Sequence, residues 1–322
     1  MYIVTGGAGF IGSAVVWSLN DQGEDDIIVV DNLGRSEKWK NLVNRKYTDY
    51  IHRSEFLDRL ESGVFNNIEA IIHMGACSST TERDADFLAD NNFHYSVRLA
   101  SFAVQNHIRF INASSAATYG DGKNGFEDSD DALNSLKPMN MYGYSKHLFD
   151  LWADRNKVLN RLASLKFFNV FGPNEYHKKD QCSVILKAYH QIKKTGRVQL
   201  FKSYREIYPH GGQRRDFVYV KDCVSVIQWL LEHPDINGIF NVGTGIDRSW
   251  NALASSVFSA MNVEENIEYI DMPEQLKDRY QYYTRAKTDK LAEAGCTIAC
   301  RSLEKAVADY VQHYLMAEDI YL

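Results

Sequence analysis

A chain of 322 residues, 45% hydrophobic and 24% charged, has the make-up of an ordinary globular protein, long enough for one large core or two joined lobes. Its formal net charge of −6 argues against the broad basic surface that nonspecific nucleic-acid binding needs, though a local cluster of cations still suits a small anionic ligand. No apolar run approaches the ~20 residues needed to cross a bilayer, and Met1 leads straight into the apolar run Tyr2–Val4 without a basic region or cleavage site, so a cytoplasmic protein is expected.

Short apolar runs alternate with helical patterns through the first half. Tyr2–Thr5, Ile27–Asp31, Ala70–His73, Arg109–Ala113 and Leu165–Phe168 read as strands, and their lack of polar alternation suits strands covered on both faces. Between them Ile11–Gln22, Asp84–Asn106 and Tyr142–Lys157 read as helices. This alternation predicts an α/β fold, a Rossmann-type doubly wound parallel sheet. After Pro173 the pattern is less regular: a strand Phe217–Val220 leads into a helix, and Ile239–Val242 runs into Gly243-Thr244-Gly245. Residues 1–170 are expected to form the dinucleotide-binding domain and 171–322 a smaller C-terminal α/β substrate lobe, with 216–246 packing back on the first domain. Only five prolines and no Gly/Ser-rich stretch speak against a flexible linker.

The opening run YIVTGGAGFIG places Gly6, Gly7, Gly9 and Gly12 between a strand and a helix. Glycines let the backbone approach a pyrophosphate, and a helix N-terminus offers N–H groups and a favourable dipole. Asp31 ends the second strand 19 residues past Gly12, where a carboxylate meets an adenosine ribose. Asn32 follows it, and Arg35 and Lys38 lie in the next loop, where cations meet a 2′-phosphate. NADP is therefore expected over NAD.

Ser114 and Ser115 follow the apolar strand ending at Ala113, a position from which a hydroxyl reaches a reacting oxygen. Tyr142 and Lys146 stand four residues apart on one helical face. A tyrosine near pKa ~10 is too weakly acidic to act as a base at neutral pH; a neighbouring ammonium together with a positive nicotinamide ring favours the phenolate. Ser79 and Glu82 have the spacing of a capping box for the helix that follows, and Arg214 with Arg215 would clamp a diphosphate. The five cysteines include no CxxC pair, and Cys296 and Cys300 lack a companion histidine cluster, so reduced thiols and no metal site are expected.

The loop TGGAGFIG, the run SSAATYG and the helix start YGYSK resemble the extended short-chain dehydrogenases, the NAD-dependent epimerase/dehydratase family, and FFNVFGP, RRDFVYVKD and IFNVGTG extend the likeness past residue 240. The segments GACSSTTE, DNNFHYS, FNVFGPNEYHKK and RYQYYT carry a closer resemblance, nearly end to end, to family members that invert C6 of an ADP-linked heptose for lipopolysaccharide core. That resemblance implies a tightly bound NADP, a homo-oligomer (a pentamer) and an ADP-heptose substrate. It makes Tyr142 and Lys178 the acid–base pair, Lys146 the holder of the nicotinamide ribose and Ser115 the catalytic serine. To the cofactor it assigns Gly6, Gly9, Phe10, Ile11, Gly12, Asp31, Asn32, Lys38 and Arg53, then Gly75, Ala76, Cys77, Ser78 and Ser79, then Asn92 and Val170. For the sugar nucleotide it selects Asn169, Asp180, Lys187, Phe201, Lys202, Ser203, Tyr204, Arg215 and Tyr280. Arg53 stands where a lysine is usual, and Asp180 and Lys187 where serine and histidine are usual. Tyr204–Gln213 is a few residues longer than the usual loop. A 4,6-dehydratase would need an acidic pair where Ala116 and Ala117 stand. A UDP-hexose 4-epimerase, a simple oxidoreductase and a non-enzymatic NADP-sensing regulator are the alternatives.

Overall fold

Strand–helix alternation persists from the first residue in the computed structural model, which describes residues 1–277 and 280–322. It runs β1 (Tyr2–Thr5), α1 (Phe10–Asp21), β2 (Ile27–Asp31), β3 (Asp49–His52), α2 (Arg53–Glu61), β4 (Ala70–His73), α3 (Ala85–Leu88), α4 (Tyr95–Gln105), β5 (Arg109–Ser115), α5 (Met141–Arg155) and β6 (Ala163–Phe167). Then follow β7 (Asn169–Phe171), α6 (Val184–Thr195), β8 (Val198–Phe201), β9 (Arg214–Tyr219), α7 (Val220–Glu232), β10 (Gly238–Val242), β11 (Asp247–Ser249), α8 (Trp250–Met261) and β12 (Ile267–Ile270). Arg279, the first residue of RYQYYT, lies outside the described residues.

Seven strands pair in parallel in the order β10-β6-β5-β4-β1-β2-β3. Successive strand residues point to opposite faces, so Ile3 joins the core under α4 and α5 while Val4 joins the core under α1 and α7. Both faces being covered, β1, β2 and β4 are buried throughout apart from Tyr2. Each buried Ile or Val contributes roughly 1.5–3 kcal/mol. The order reverses direction between β1 and β4, which opens a crevice at the carboxyl ends of those strands. Two small sheets, β11-β9-β7 and β12-β8, complete the structure, and β10 forms an edge of the main sheet although β7, β8 and β9 of the small sheets precede it in sequence.

Several expectations are corrected. β3 was not foreseen. Leu165–Phe168 is instead Ala163–Phe167, and the strand expected at Phe217–Val220 is Arg214–Tyr219, with Val220 opening α7. The helix expected over Asp84–Asn106 is broken by a π-helical stretch, Ala89–His94, which turns Asn92 fully inward. Its cap is Asp84, whose Oδ1 accepts from the Phe87 N–H at 2.9 Å; Glu82 accepts instead from the Arg83 and Asp84 N–H groups, so the Ser79–Glu82 capping box does not form. Among the described residues no helix is long and apolar enough to cross a membrane.

Candidate active site

The glycine turn between β1 and α1 is shaped by contact. Gly6 takes φ +65° with the Gly75 backbone so close that a Cβ would lie 2.6 Å from it, and a Cβ on Gly12 would lie 2.1 Å from the Gly6 carbonyl oxygen. No side chain fits there. The first turn of α1 carries no acidic residue, and Phe10, Ile11 and Gly12 line a cavity of about 280 Å³ together with Gly6 and Gly9. Gly75, Ala76 and Ser78 border it from the loop after β4, and Val170 from β7.

At one end of this cavity Asp31 closes β2. Its Oδ2 accepts from the Ala8 N–H at 2.9 Å, while Oδ1 accepts from the Asn32 N–H at 2.6 Å and pairs with the Lys38 ammonium at 2.6 Å. A contiguous recess of about 230 Å³ shares Asp31, Lys38, Gly75 and Ala76 and adds Asn32, Arg53 and Cys77. Phe87, Asn91 and Tyr95 line it too, residues that the sequence reading passed over. Asn92 does not reach either recess. Fully buried, it donates to the Cys77 carbonyl at 2.9 Å and to Ser145 Oγ at 3.0 Å and accepts from the Cys77 N–H at 2.8 Å, which braces the loop against α5. Ser79 lies beyond the cavity, its hydroxyl 3.1 Å from that of Thr81.

At the other end α5 meets the turn after β5. Asn140 caps α5 by accepting from the Gly143 N–H at 2.8 Å, and Gly143 lies against the Ala117 carbonyl, where a Cβ would come within 2.6 Å. This approach brings Tyr142 beside Ser115, and both line the cavity with Lys146 and Lys178. Ser115 Oγ also accepts from the Ala117 N–H at 3.1 Å, so it caps the turn as well as facing the site. Lys146 is 2% exposed and its Nζ has no hydrogen-bond partner. Burial lowers its pKa to about 8, and Asp150, one turn further along α5, pulls the other way. Asp150 is held by hydroxyl donors, Ser114 Oγ at 2.7 Å and Ser164 Oγ at 2.8 Å.

Burial pushes the Tyr142 phenol above its usual value, and the Ser115 side chain beside it pulls it down. The protein's own groups therefore move the phenol opposite to the direction expected from Lys146, because the ring is desolvated along with the ammonium. Lys178 extends its ammonium to 5.4 Å from the Phe10 ring centroid. Burial holds it below the ordinary lysine range, opposed by the Glu175 carboxylate. Its neighbour His177 also lines the cavity and is pushed down to about 4, chiefly by burial.

A dinucleotide suits these residues: the glycine turn has a surface that a Cβ would fill, and the wall holds a buried ammonium with an unused donor set. Phosphates would lie against the first turn of α1, a ribose against Asp31 and the nicotinamide ribose against Lys146.

The remaining candidates gather elsewhere. Arg215 lies with its guanidinium 5.8 Å from the Trp250 ring and 5.5 Å from that of Tyr280. Lys202 and Tyr204 both reach Asp271, at 3.2 and 2.9 Å, and the Ser203 N–H donates to His210 at 3.1 Å, just after Phe201 ends β8. Asn169 donates to the Asp216 carbonyl at 2.9 Å and to Thr284 Oγ1 at 3.2 Å. Asp180 and Lys187 are exposed and meet each other, Lys187 Nζ donating to the Asp180 carbonyl at 2.6 Å. None of these lines the two recesses. The expected arginine clamp is also corrected: as successive residues of β9 the two side chains diverge, Arg214 pairing with Asp247 at the surface while Arg215 is buried. Met74, Phe167 and Phe168 line the cavity unforeseen; the signal was available, since each stands at the carboxyl end of a strand.

Comparison with known proteins gives a consistent result. A family model described as the NAD dependent epimerase/dehydratase family matches residues 2–243. A protein of Nitratidesulfovibrio vulgaris (strain DP4) named ADP-L-glycero-D-manno-heptose-6-epimerase is 60% identical over 323 residues, covering 100% of both chains. One of the same name from Fusobacterium nucleatum is 49% identical, again over 100% of both. The crystal structure of the Helicobacter pylori ADP-L-glycero-D-manno-heptose-6-epimerase aligns with a TM-score of 0.81 at 26% identity, over 97% of this chain and 95% of that one.

Proposed function

Since the chain belongs to the NAD dependent epimerase/dehydratase family, we propose that it converts ADP-D-glycero-D-manno-heptose to ADP-L-glycero-D-manno-heptose by transient oxidation at C6, supplying lipopolysaccharide core. The observation that carries this reading is the presence of Tyr142, Ser115, Lys146 and Lys178 around one cavity walled by the glycine turn. The full-length likeness to heptose 6-epimerases supports the choice of sugar.

The C–H at C6 is not acidic, so deprotonation cannot invert it. When bound, the nicotinamide dinucleotide accepts the hydride and returns it, and its positive ring favours the phenolate. The chain's own residues do the rest. Tyr142 exchanges a proton with the C6 oxygen, and Ser115 donates a hydrogen bond to that oxygen. Lys178 is the second proton carrier, which lets the ketone be reduced on its other face. Lys146 holds the nicotinamide ribose through its buried ammonium. Residues 1–170 bind the cofactor and 171–322 the sugar nucleotide, with 216–246 packing back on the first domain, where β10 joins the main sheet.

NADP is the preferred cofactor, because Lys38 and Arg53 border the recess that also holds Asp31 and Asn32. A cytoplasmic homo-oligomer, pentameric by family likeness, completes the reading; sedimentation at micromolar concentration tests the assembly.

The deciding experiment incubates the protein with ADP-D-glycero-D-manno-heptose, with and without added NADP, and follows the C6 centre by NMR. Conversion to a mixture of epimers is expected, with no net turnover of NADP. An unchanged heptose alongside epimerised UDP-galactose overturns the assignment in favour of a hexose 4-epimerase.

A further inference from the structure

Lys178 sits in an irregular stretch. The 3-10 turn Tyr176–Gln181 is interrupted at Lys179, which takes φ +49°, and Asn174 just before it takes φ +74°. Non-glycine residues in this region cost on the order of 1–3 kcal/mol each and persist only where surrounding contacts hold them. Asparagine tolerates the conformation better than lysine. The contacts that hold this stretch come from three directions.

One is local: Glu175 accepts from the Ser183 N–H at 2.5 Å and the Ser183 hydroxyl at 2.7 Å, tying the stretch to the start of α6. Another is the cofactor side: Asn41 Nδ2 donates to the Ala8 carbonyl at 3.0 Å and the Asn174 carbonyl at 3.1 Å, and Asn174 Nδ2 donates to Ser13 Oγ of α1 at 2.9 Å. The third is the distant segment Asp319–Leu322. Tyr176 Oη donates to the Ile320 carbonyl at 2.5 Å, and the Leu322 N–H donates to Asn174 Oδ1 at 3.1 Å. The Tyr321 ring stands edge-on to Tyr176 with centroids 5.4 Å apart. Leu322 is 6% exposed in the core, and Asp319 accepts from Asn44 at 2.8 Å, just past the turn that carries Lys38.

We propose that Asp319–Leu322 is a positioning segment for the reaction: it clamps the Asn174–Gln181 stretch onto the glycine turn and so sets where the Lys178 ammonium stands in the cavity. This rests on Lys178 being the second proton carrier. Neither Tyr176 Oη nor the segment itself lines the cavity, so the effect runs through Lys178 rather than through contact with substrate. The same clamp keeps Lys178 out of water.

Two variants test it, one lacking residues 319–322 and one carrying Tyr176→Phe, which removes a single hydrogen bond and leaves the chain whole. The first readout needs no turnover. Cys182, half-buried beside the stretch, is alkylated with iodoacetamide and followed by peptide mass spectrometry, with half-buried Cys77 as the internal reference. Cys182 labelling is expected to accelerate by about tenfold against Cys77 in the deletion, and by less in Tyr176→Phe. For the epimerase, kcat is expected to fall by about 10- to 100-fold, with KM changed far less. The limb of its pH profile that belongs to Lys178 moves toward the ordinary lysine range as water reaches the ammonium. Unchanged Cys182 labelling and an unchanged pH profile in both variants overturn the proposal, as does equal acceleration at Cys182 and Cys77. A wild-type protein inactive on the heptose would count against the epimerase reading alone, because the cysteine measurement still reports the clamp.

Discussion

Lys38 Nζ stands 2.6 Å from Asp31 Oδ1, so the carboxylate that ends β2 faces its recess already paired with a cation. A bare aspartate would repel a 2′-phosphate; the proposed preference for NADP rests on its neutralisation by Lys38, with Arg53 across the same recess. Replacing Lys38 with alanine should weaken NADPH binding by about 10- to 100-fold, the worth of one charge-assisted hydrogen bond, and NADH binding far less. Fluorescence titration with both nucleotides checks this. Equal losses for the two would detach Lys38 from cofactor choice.

The glycine turn gives a second expectation. In Gly12→Ala the new methyl would sit 2.1 Å from the Gly6 carbonyl oxygen and 3.0 Å from Gly7 Cα, both backbone atoms that cannot swing aside. Relief requires the turn to move, at a cost of about 1–3 kcal/mol. Nucleotide affinity should drop by tenfold or more, and the denaturation midpoint should fall. Nucleotide binding at wild-type strength would show that the turn is not where the phosphates lie.

What the sequence makes legible, and what it hides, follows from the kind of signal each element carries. The bounds of β1, β2 and β4 match their apolar runs because both faces of those strands are covered. Asp49–His52 carries no such run: only Ile51 is fully buried, as expected at a sheet edge. The π-helical stretch around Asn92 leaves no periodic trace, yet it decides that Asn92 braces the Cys77 loop from behind. Tyr142 and Lys146 are readable at i,i+4 on a regular helix. Lys178 is not, because its place depends on the backbone reversal at Lys179 and on residues more than a hundred positions away. The divergence of Arg214 and Arg215 becomes visible only once the strand is known to begin at Arg214.

Lys146 links pH to both stability and activity. Its folded pKa is lowered to about 8 from an ordinary value of 10.5. Between those values the unfolded chain binds more protons than the folded one, so this group's contribution to stability rises with pH across that window. Below pH 8 the folded state carries the full cost of the buried charge, roughly 3 kcal/mol. Activity should run the other way, since the proposed ribose contact needs the ammonium. The plot of kcat/KM, which reports the free enzyme, should fall above about pH 8. Lys146→Arg should remove that limb at a large loss of rate, because guanidinium stays charged but has a different shape. A wild-type profile flat to pH 10 would mean that the charge on Lys146 is not needed.

The two proposed proton carriers make the sharpest claim. Tyr142→Phe keeps the ring in its half-buried place against the Ser115 turn and removes only the hydroxyl, so the fold should lose no more than about 1 kcal/mol. Epimerisation should slow by roughly 100- to 10,000-fold, the usual weight of a positioned acid or base. Lys178→Met keeps an unbranched side chain, one atom shorter, over Phe10 without the charge and should do comparable damage. If the residues serve the two faces of one ketone in turn, each single variant already blocks the cycle. The double variant should then be scarcely slower than the worse single one, a strong departure from additivity. Steady-state kinetics of the three variants, with NADPH titration and melting curves to show that each is folded and binds nucleotide, decide the matter. Losses that simply multiply would indicate independent roles, and a mild Lys178→Met would return that lysine to the cavity wall as a spectator.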